Sequence, residues 1–554
     1  DLMKKWLMLD TSHQAYLHFQ EVNCLFGSWG KDITNKEVLS EYGYTNLDNK
    51  STQELFQLHI DEIAKFSDKM ENRIGLEPDR VKRLLLPDRA ALNAAYWAKA
   101  GADIIMTKNI HRQSVNVVVA NGRGTADAYG IEYGFDLDLW DRCTRLGYHP
   151  DEFNQIYKVY FHSGGKYLIE EGIPQAPDQG KFSPMGKEWI EMAKYTRAHP
   201  SRGEQIVQIA VMRGFGDEWH TVGSPSSSWE SGYYEKTVNG QNYLQDYNLL
   251  DKLFANYGTY WNTATDRLCT GTPYGPVDFI PWDARPEFLN KYKLIVIMGF
   301  NTLEEDHIAN LAQYVNQGGK LICAAGQIKN TKGDFHLAEE LFGISPGEKK
   351  SITTEQKSLI PDKSTFDYKL LSKESPYYSF DLSGEKTEVI ERLPDESSLL
   401  VKNIYGQGEA YIFSGEHLTE FGEQLPAEIM TGCLEEIRPV NFSPHYDRLE
   451  YMIRKKGESI ILPLFNHGNA GFPSGKTKLG KWDGEVAIEK DAYDLTGNKL
   501  VVYKAIYDEL NHRIDLQKIA SEDTGDKIRF QAEIDSFEEY VIGPELNVKD
   551  DFYK

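Results

Sequence analysis

The segment from Ala90 to Glu171 repeats one cycle three times, and that repetition limits the folds open to the chain. A helix pattern over Asp88–Gly101 puts Ala91, Leu92, Ala95, Tyr96 and Ala98 on one side. A short apolar run follows, ADIIMT at Ala102–Thr107, and stops at Lys108 and Asn109. Ser114–Gly130 reads as a second helix and Tyr133–Trp140 (YGFDLDLW) as a second strand. Asp151–Ser163 reads as a third helix, closed by Gly164 and Gly165. Lys166–Ile169 is a third strand, and it runs into Glu170 and Glu171. Helix, glycine, short buried strand, and a polar residue where the strand stops is the pattern of α/β units around a parallel sheet. Strands covered on both faces are short and apolar, as these are. In a (β/α) barrel the C-terminal strand ends form the active face.

Two earlier strands extend the series. Ala15–Gln20 (AYLHFQ) alternates, with Glu21 just beyond it, and Arg83–Leu86 ends at Pro87. Gln53–Ile74 and Gly186–His199 read as helices. Five strands thus precede Pro174, where a closed barrel has eight. The expectation is a partial (β/α) TIM-type barrel over residues 1–203, incomplete at its N-terminus. On that count Ala15–Gln20 is strand four and Tyr133–Trp140 is strand seven. The alternative is a smaller open α/β sheet, complete as it stands.

Residues 204–443 read as a doubly wound, Rossmann-like α/β domain. Its strands are Gln205–Arg213, Leu294–Met298, Lys320–Ala325 and Glu409–Ser414. Its helices are Asp246–Tyr257, Glu304–Gln317, capped by Gly318 and Gly319, and Leu425–Ile437. Gly214–Gln241 is a long loop, and Pro346–Leu393 reads as an irregular insertion. Residues 444–554 alternate in short strands between Gly, Asn and Asp turns, the pattern of a β-sandwich. The expected fold class is therefore multidomain α/β: partial barrel, doubly wound domain, C-terminal β-sandwich.

The formal charge of -23 over 554 residues argues against a nucleic-acid or anionic-membrane partner. Five scattered cysteines include no CxxC pair, and His13, His18 and His111 are far apart, so neither a metal site nor a disulfide framework is expected. No run of about 18 apolar residues is present. The expectation is a soluble chain with no cofactor and no membrane partner; its compartment stays open, with a secreted or periplasmic bacterial protein one alternative.

Three segments of the middle region carry a family likeness: DYNLLDKLFANYG (Asp246–Gly258), KLIVIMG (Lys293–Gly299) and YVNQGGKLICAAG (Tyr314–Gly326). They resemble the trimerisation domain of family 42 β-galactosidases, a degenerate member of the class I glutamine-amidotransferase-like fold. LPLFNHGN (Leu462–Asn469) resembles the C-terminal domain of those enzymes. The resemblance covers Gln205–Gly543. It implies a homo-oligomer, a trimer, and a retaining glycosidase with one carboxylate after strand four and another on strand seven. A working amidotransferase carries its cysteine in a G-x-C-x-G elbow. Cys323 in LICAAG follows Ile322 instead, so it is expected to be buried and structural, which argues against amidotransferase or protease chemistry.

Hydrolysis of a glycoside needs two carboxylates, one to protonate the leaving oxygen and one to attack or activate water. Glu21 in HFQEVN is the candidate general acid/base; the plain alternative is a surface glutamate. Asp136 and Asp138 in GFDLDLW share one strand face. Asp138 is nearer the strand end and is the first choice for nucleophile or base. The family uses Glu here, and the structural alternative is a pair held by Arg112, Arg123 or Arg142. Lys108, Asn109 and Arg112 follow strand six, where a cation would neutralise a sulfate or carboxylate on a sugar; a solvated loop, or a partner for Asp136, is the other reading. Glu170 and Glu171 would bind sugar hydroxyls or cap the next helix. Trp140, Trp219 and Trp229 are sugar platforms or packing. The expected function is a glycoside hydrolase acting on a galactoside or a related acidic or sulfated saccharide. The rival is a non-catalytic carbohydrate-binding or scaffold protein that retains the architecture.

Overall fold

A computed structural model describes residues 94–109, 115–138, 150–171, 182–214, 249–254, 271–299, 303–330, 338–361, 366–446, 448–468, 480–495, 500–545 and 552–553. It also describes the strands at 15–19 and 81–85, single positions 246 and 335, and part of a helix within 54–68. The first sheet holds β1 (Ala15–Phe19), β2 (Val81–Leu85), β3 (Ile104–Asn109), β4 (Glu132–Asp138) and β5 (Tyr167–Glu171). They lie in that order and every neighbouring pair is parallel. Sequential parallel order follows from repeated strand–helix–strand crossovers of one hand.

The helices of this region are α1 (Ala94–Lys99), α2 (Val115–Tyr129), α3 (Pro150–His162) and α4 (Pro184–Ala198). Tyr133, Phe135 and Leu137 of β4 pack with Val115, Val118 and Val119 of α2 and with Phe153, Ile156 and Tyr157 of α3. Odd positions of β4 thus face the helices, and even positions face the other side of the sheet. On that side Ile104 and Met106 pack with Tyr167. Position 134 has room only for glycine there, since a Cβ would run into Met106.

α2 is buried continuously from Val115 to Ala126, because it has a sheet on each side. One side carries β3 and β4; the other carries β8 (Val277–Pro281) of the second sheet. Two glycines inside a helix cost about 1 kcal/mol each relative to alanine. Both have a packing reason here. A Cβ on Gly122 would meet Tyr133 and Thr107 of the first sheet, and one on Gly124 would meet Asp278 and the Phe279 carbonyl of the second. Between them Arg123 donates from Nε to Asp278 Oδ1 at 2.7 Å and from Nη2 to the Val277 carbonyl at 2.7 Å. Tyr292 donates to the other Asp278 oxygen at 2.9 Å.

The second sheet is mixed. It contains β7 (Ile209–Arg213), β8, β9 (Leu294–Met298), β10 (Lys320–Ala324), β13 (Thr387–Arg392), β14 (Ser398–Tyr405) and β15 (Gly408–Phe413), in the order β13-β14-β15-β10-β9-β7-β8. β8, β7, β9, β10 and β15 are parallel. Apolar cores cover both faces. β8 has no counterpart in the sequence reading. VDFIP ends in a proline and carries Asp278, features that fit only a sheet edge, which is where it sits.

Two further expectations change. Gln205–Arg213 reads as one strand, but the chain forms β6 (Glu204–Ile206) and then β7. β6 pairs antiparallel with Ile453–Lys456, so the segment divides between two sheets. An apolar run without Gly or Pro carries no local mark of such a break. Pro346–Leu393 is not irregular. β11 (Ile344–Pro361) and β12 (Phe366–Leu382) form a long antiparallel ribbon, and β13 follows. Its described buried residues, Ile344, Ser375, Tyr377, Tyr378 and Phe380, lie near its base, too few to impose alternation over strands of 18 and 17 residues.

The remaining strands form two antiparallel sheets. One holds Val440–Ser443, Trp482–Glu489, Lys527–Ile534 and Ser521–Asp523; the other holds Arg513–Ile519, Val501–Asp508, Phe537–Gly543, Ser459–Asn466, Ile453–Lys456 and β6, with Leu449–Tyr451 paired to Ser459–Asn466. Their facing side chains share one core that includes Leu462, Leu464, Val486, Ile488, Phe530 and Ile542.

Candidate active site

The C-terminal ends of β3, β4 and β5 bring most of the sequence candidates to one edge. Parallel register places Lys108 opposite Asp136, and Asn109 opposite Leu137. On the other side of β4, Asp136 is level with Ile169, Leu137 with Glu170, and Asp138 with Glu171. Position 171 therefore shares a level with Asp138, whereas position 170 is level with a residue that faces the helices. Glu170 and Glu171 lie inside β5 rather than beyond it, since the strand runs two residues past the apolar KYLI.

Asp136 is fully buried, 0% exposed, one level below the strand end. Beneath it Met106, Gly134 and Tyr167 fill the same side of the sheet. At the base of β4, Glu132 accepts from Tyr167 Oη at 2.6 Å and pairs with Lys166 at 3.1 Å. The backbone thus presents a carboxylate-rich edge on a packed floor. Glu21, Arg112 and Trp140 lie outside the described residues, as do His13, His111, Arg142, Trp219 and Trp229. β1 ends two residues before Glu21 and is separated from β4 by β2 and β3. Arg123 does not hold Asp136; its carboxylate partner is Asp278 on β8.

Three buried carboxylates outside this edge hold the sheets to one another or brace a strand end, and none is prominent in the sequence. Glu450 accepts from Asn116 of α2 at 2.8 Å on both oxygens, from His467 Nε2 at 2.5 Å and from Thr272 at 3.3 Å. His467 belongs to LPLFNHGN, the one available hint. Asp246, at the head of DYNLLDK, accepts from the Thr419 amide and hydroxyl at 2.9 Å each and from His417 Nδ1 at 3.2 Å. Burial pushes the His417 pKa down, but Asp246 and Glu420 outweigh it and raise it to about 9. Glu539 lies 3.5 Å from His199 and 3.4 Å from His162. Burial raises its pKa, yet His199, His162 and Tyr553 bring it to about 2.

Cys323 is buried in β10, where burial pushes its thiol well up and its Sγ meets the Tyr411 carbonyl at 3.7 Å. Such a thiol is no nucleophile. Among the described residues no group of three His, Cys, Asp or Glu side chains is placed to hold a metal ion. No described helix is long and apolar enough to cross a membrane.

No family model matches the chain, and no curated protein matches it. Its fold is that of solved glycoside hydrolases. A β-galactosidase from Bacillus circulans sp. alkalophilus superposes with a TM-score of 0.51 at 14% identity, over 88% of this chain and 68% of that one. A GH42 β-galactosidase from G. stearothermophilus, in a catalytic mutant form, gives 0.51 at 14% identity over 90% and 71%. An α-L-fucosidase isoenzyme from Paenibacillus thiaminolyticus gives 0.53 at 9% identity over 87% and 71%. The resemblance to family 42-type enzymes thus extends to the three-dimensional fold.

Proposed function

We propose that the protein is a glycoside hydrolase that cleaves a galactoside, or a related acidic or sulfated oligo- or polysaccharide, with two carboxylates. In this reading the first sheet is the C-terminal part of a (β/α) barrel within residues 1–203, with β1 as strand four and β4 as strand seven. Residues 204–443 are the doubly wound domain through which copies associate as a trimer, and residues 444–554 are a β-sandwich. The observation that carries the reading is the carboxylate edge at positions 136, 138 and 171, on a fold shared with glycosidases. Barrel enzymes act at that edge of the strands.

Glu21 is the general acid/base, and Asp138 is the nucleophile or base. Three interstrand steps of about 4.8 Å separate β1 from β4, roughly 14 Å along the sheet. On a sheet curved as in a barrel, two inward carboxylates close most of that gap, toward the roughly 5–10 Å used by two-carboxylate glycosidases. Lys108, Arg112, Trp140 and Glu171 are assigned to the substrate side, with Lys108 the cation nearest in register to Asp136; Asn109 and Glu170, level with Leu137, would reach substrate only from the strand ends.

Two variants test this. Glu21→Gln should lose roughly 10²–10⁴ of the rate on a substrate with a poor leaving group, and less on an activated aryl glycoside. Asp138→Asn should be nearly inactive on both while remaining folded. Equal slowing of both substrates by Glu21→Gln, or wild-type turnover by Asp138→Asn, overturns the assignment. A second reading, a carbohydrate-binding protein without turnover, is favoured by aspartate at 138 where the family has glutamate. It requires saccharide binding and no hydrolysis by the unaltered chain.

A further inference from the structure

A cleft of about 640 Å³ opens where the first sheet, the mixed sheet and the antiparallel sheets meet. It lies at the N-terminal ends of β4 and β5, beside Glu132 and Lys166, with Lys291 and Tyr292 opposite and Gly203–Val207 and Arg454 at the back. Six residues of strand separate Glu132 from Asp138, about 20 Å, so the cleft is remote from the catalytic edge. Its volume is within the ordinary range for small-molecule sites, and junctions between domains are a common place for them.

The cleft is lined by four cations, Arg123, Lys166, Lys291 and Arg454, and four carboxylates, Asp127, Glu132, Glu204 and Asp278. Two cations of the cleft are neutralised locally: Arg123 by Asp278 at 2.7 Å and Lys166 by Glu132 at 3.1 Å. Arg454 is not. It is 6% exposed, and its guanidinium donates only to neutral oxygens. Nε reaches the Arg202 carbonyl at 2.9 Å, and Nη1 reaches the His162 carbonyl and Gln205 Oε1 at 2.7 Å each. Nη2 reaches the Gly203 carbonyl at 2.6 Å. A guanidinium has five N–H groups, so four acceptors leave one Nη2–H over. Directly behind, the guanidinium of Arg202 likewise bonds only to the carbonyls of Phe161 and Gly165. Among the described residues neither arginine has a carboxylate within ion-pair distance.

Arg454 is buried with the half-buried Arg202 beside it, and a guanidinium taken out of water with no carboxylate in direct contact is costly to hold. Burial and the charges of Arg202 and Arg123 hold the Arg454 pKa down to about 9, against the weaker opposing pull of the more distant Glu539 and Asp127. Asp127 stands on the α2 wall of the same cleft, and burial and then Asp278 hold its carboxyl above the usual range. Lys291 stands exposed at the mouth and adds a further cation.

We infer that this cleft is an oxyanion-binding site, taking the carboxylate or sulfate group of a saccharide or small organic acid against Arg454, with Lys291 at its entrance. The site does not depend on the glycosidase reading, because it lies on the opposite edge of the sheet. Titration calorimetry on the full chain with sodium glucuronate, galactose 6-sulfate, sodium sulfate and galactose, at matched ionic strength, tests it. The acidic ligands should bind and galactose should not. Lys291→Glu, at an exposed position, should fold normally and weaken the acidic ligands by about tenfold, as expected when an attracting charge at the mouth becomes a repelling one. Arg454→Gln should abolish binding where it folds. Sulfate binding as tightly as the sugar acids supports the site and identifies a free oxyanion as its occupant; preference for the sugar acids supports a saccharide. Failure of every acid to bind at tens of millimolar, equal binding of galactose, or unchanged affinity in Lys291→Glu overturns the inference.

Discussion

Gly124→Ala tests how α2 joins the first sheet to the second. In an ordinary helix interior this change stabilises by about 1 kcal/mol, because alanine has less backbone freedom to lose. Here the new methyl would lie against the Phe279 carbonyl of β8 and 2.9 Å from the Asp278 Cβ. Both are held in place: β8 is paired along its length to β7, and Asp278 is tied to Arg123 and Tyr292. The helix has to move away by about an ångström, and overpacking of that kind costs about 1–3 kcal/mol. Moving α2 also lengthens the Arg123–Asp278 bond, a buried ion pair whose loss is costly. The expected net effect is a destabilisation of about 1–3 kcal/mol. Gly432→Ala is the control. It lies in the helix Gln424–Ile437 with open space where its Cβ would be, so it should stabilise by about 0.5–1 kcal/mol. Urea unfolding followed by tryptophan fluorescence reads both, with separate transitions fitted separately because a chain of this size need not unfold in one step. Stabilisation by Gly124→Ala, or equal effects of the two changes, would show that α2 does not pack on β8 as described.

Two further predictions concern pH. The His417 pKa is raised in the folded chain from 6.5 to about 9, so the imidazolium between Asp246 and Glu420 contributes stability fully below pH 6.5 and loses it as pH rises through about 9. His417→Gln should flatten the alkaline side of the Tm-against-pH curve; an unchanged slope would refute the ion pair. Glu539 has its folded pKa lowered from 4.5 to about 2, so its contribution is complete above pH 4.5 and is lost as pH falls through about 2. Glu539→Gln should lower Tm at pH 7 and narrow the difference from wild type in acid, and a constant difference from pH 7 to pH 2 would contradict the assignment.

The strands and helices of the 94–171 segment are legible in the sequence because each strand carries a short apolar run and each helix closes on a glycine. The same signal places Asp136 and Asp138 on β4 and ends β3 at Lys108 and Asn109. It does not say that Asp138 is level with Glu171, because register between parallel strands is set by the helices that connect them. β8 and the β11–β12 ribbon escape the sequence for opposite reasons. β8 carries an aspartate and ends in a proline, whereas the ribbon's described buried residues lie only near its base and give its length no period.

Within residues 94–171 local pattern by itself determined which segments are strand or helix and which polar residues stand at strand ends, since those follow from side-chain periodicity and backbone preference. Tertiary structure decided everything that joins distant segments. Gly122 and Gly124 look like helix defects until two sheets close on either side of α2. Gln205–Arg213 looks like one strand until it divides between two sheets. Arg454 looks like a surface cation until burial removes its water and supplies carbonyls in place of a carboxylate. The reason is common to all three: the free energy of a close approach or a buried charge depends on what arrives from elsewhere in the chain, and no window of neighbouring residues contains it.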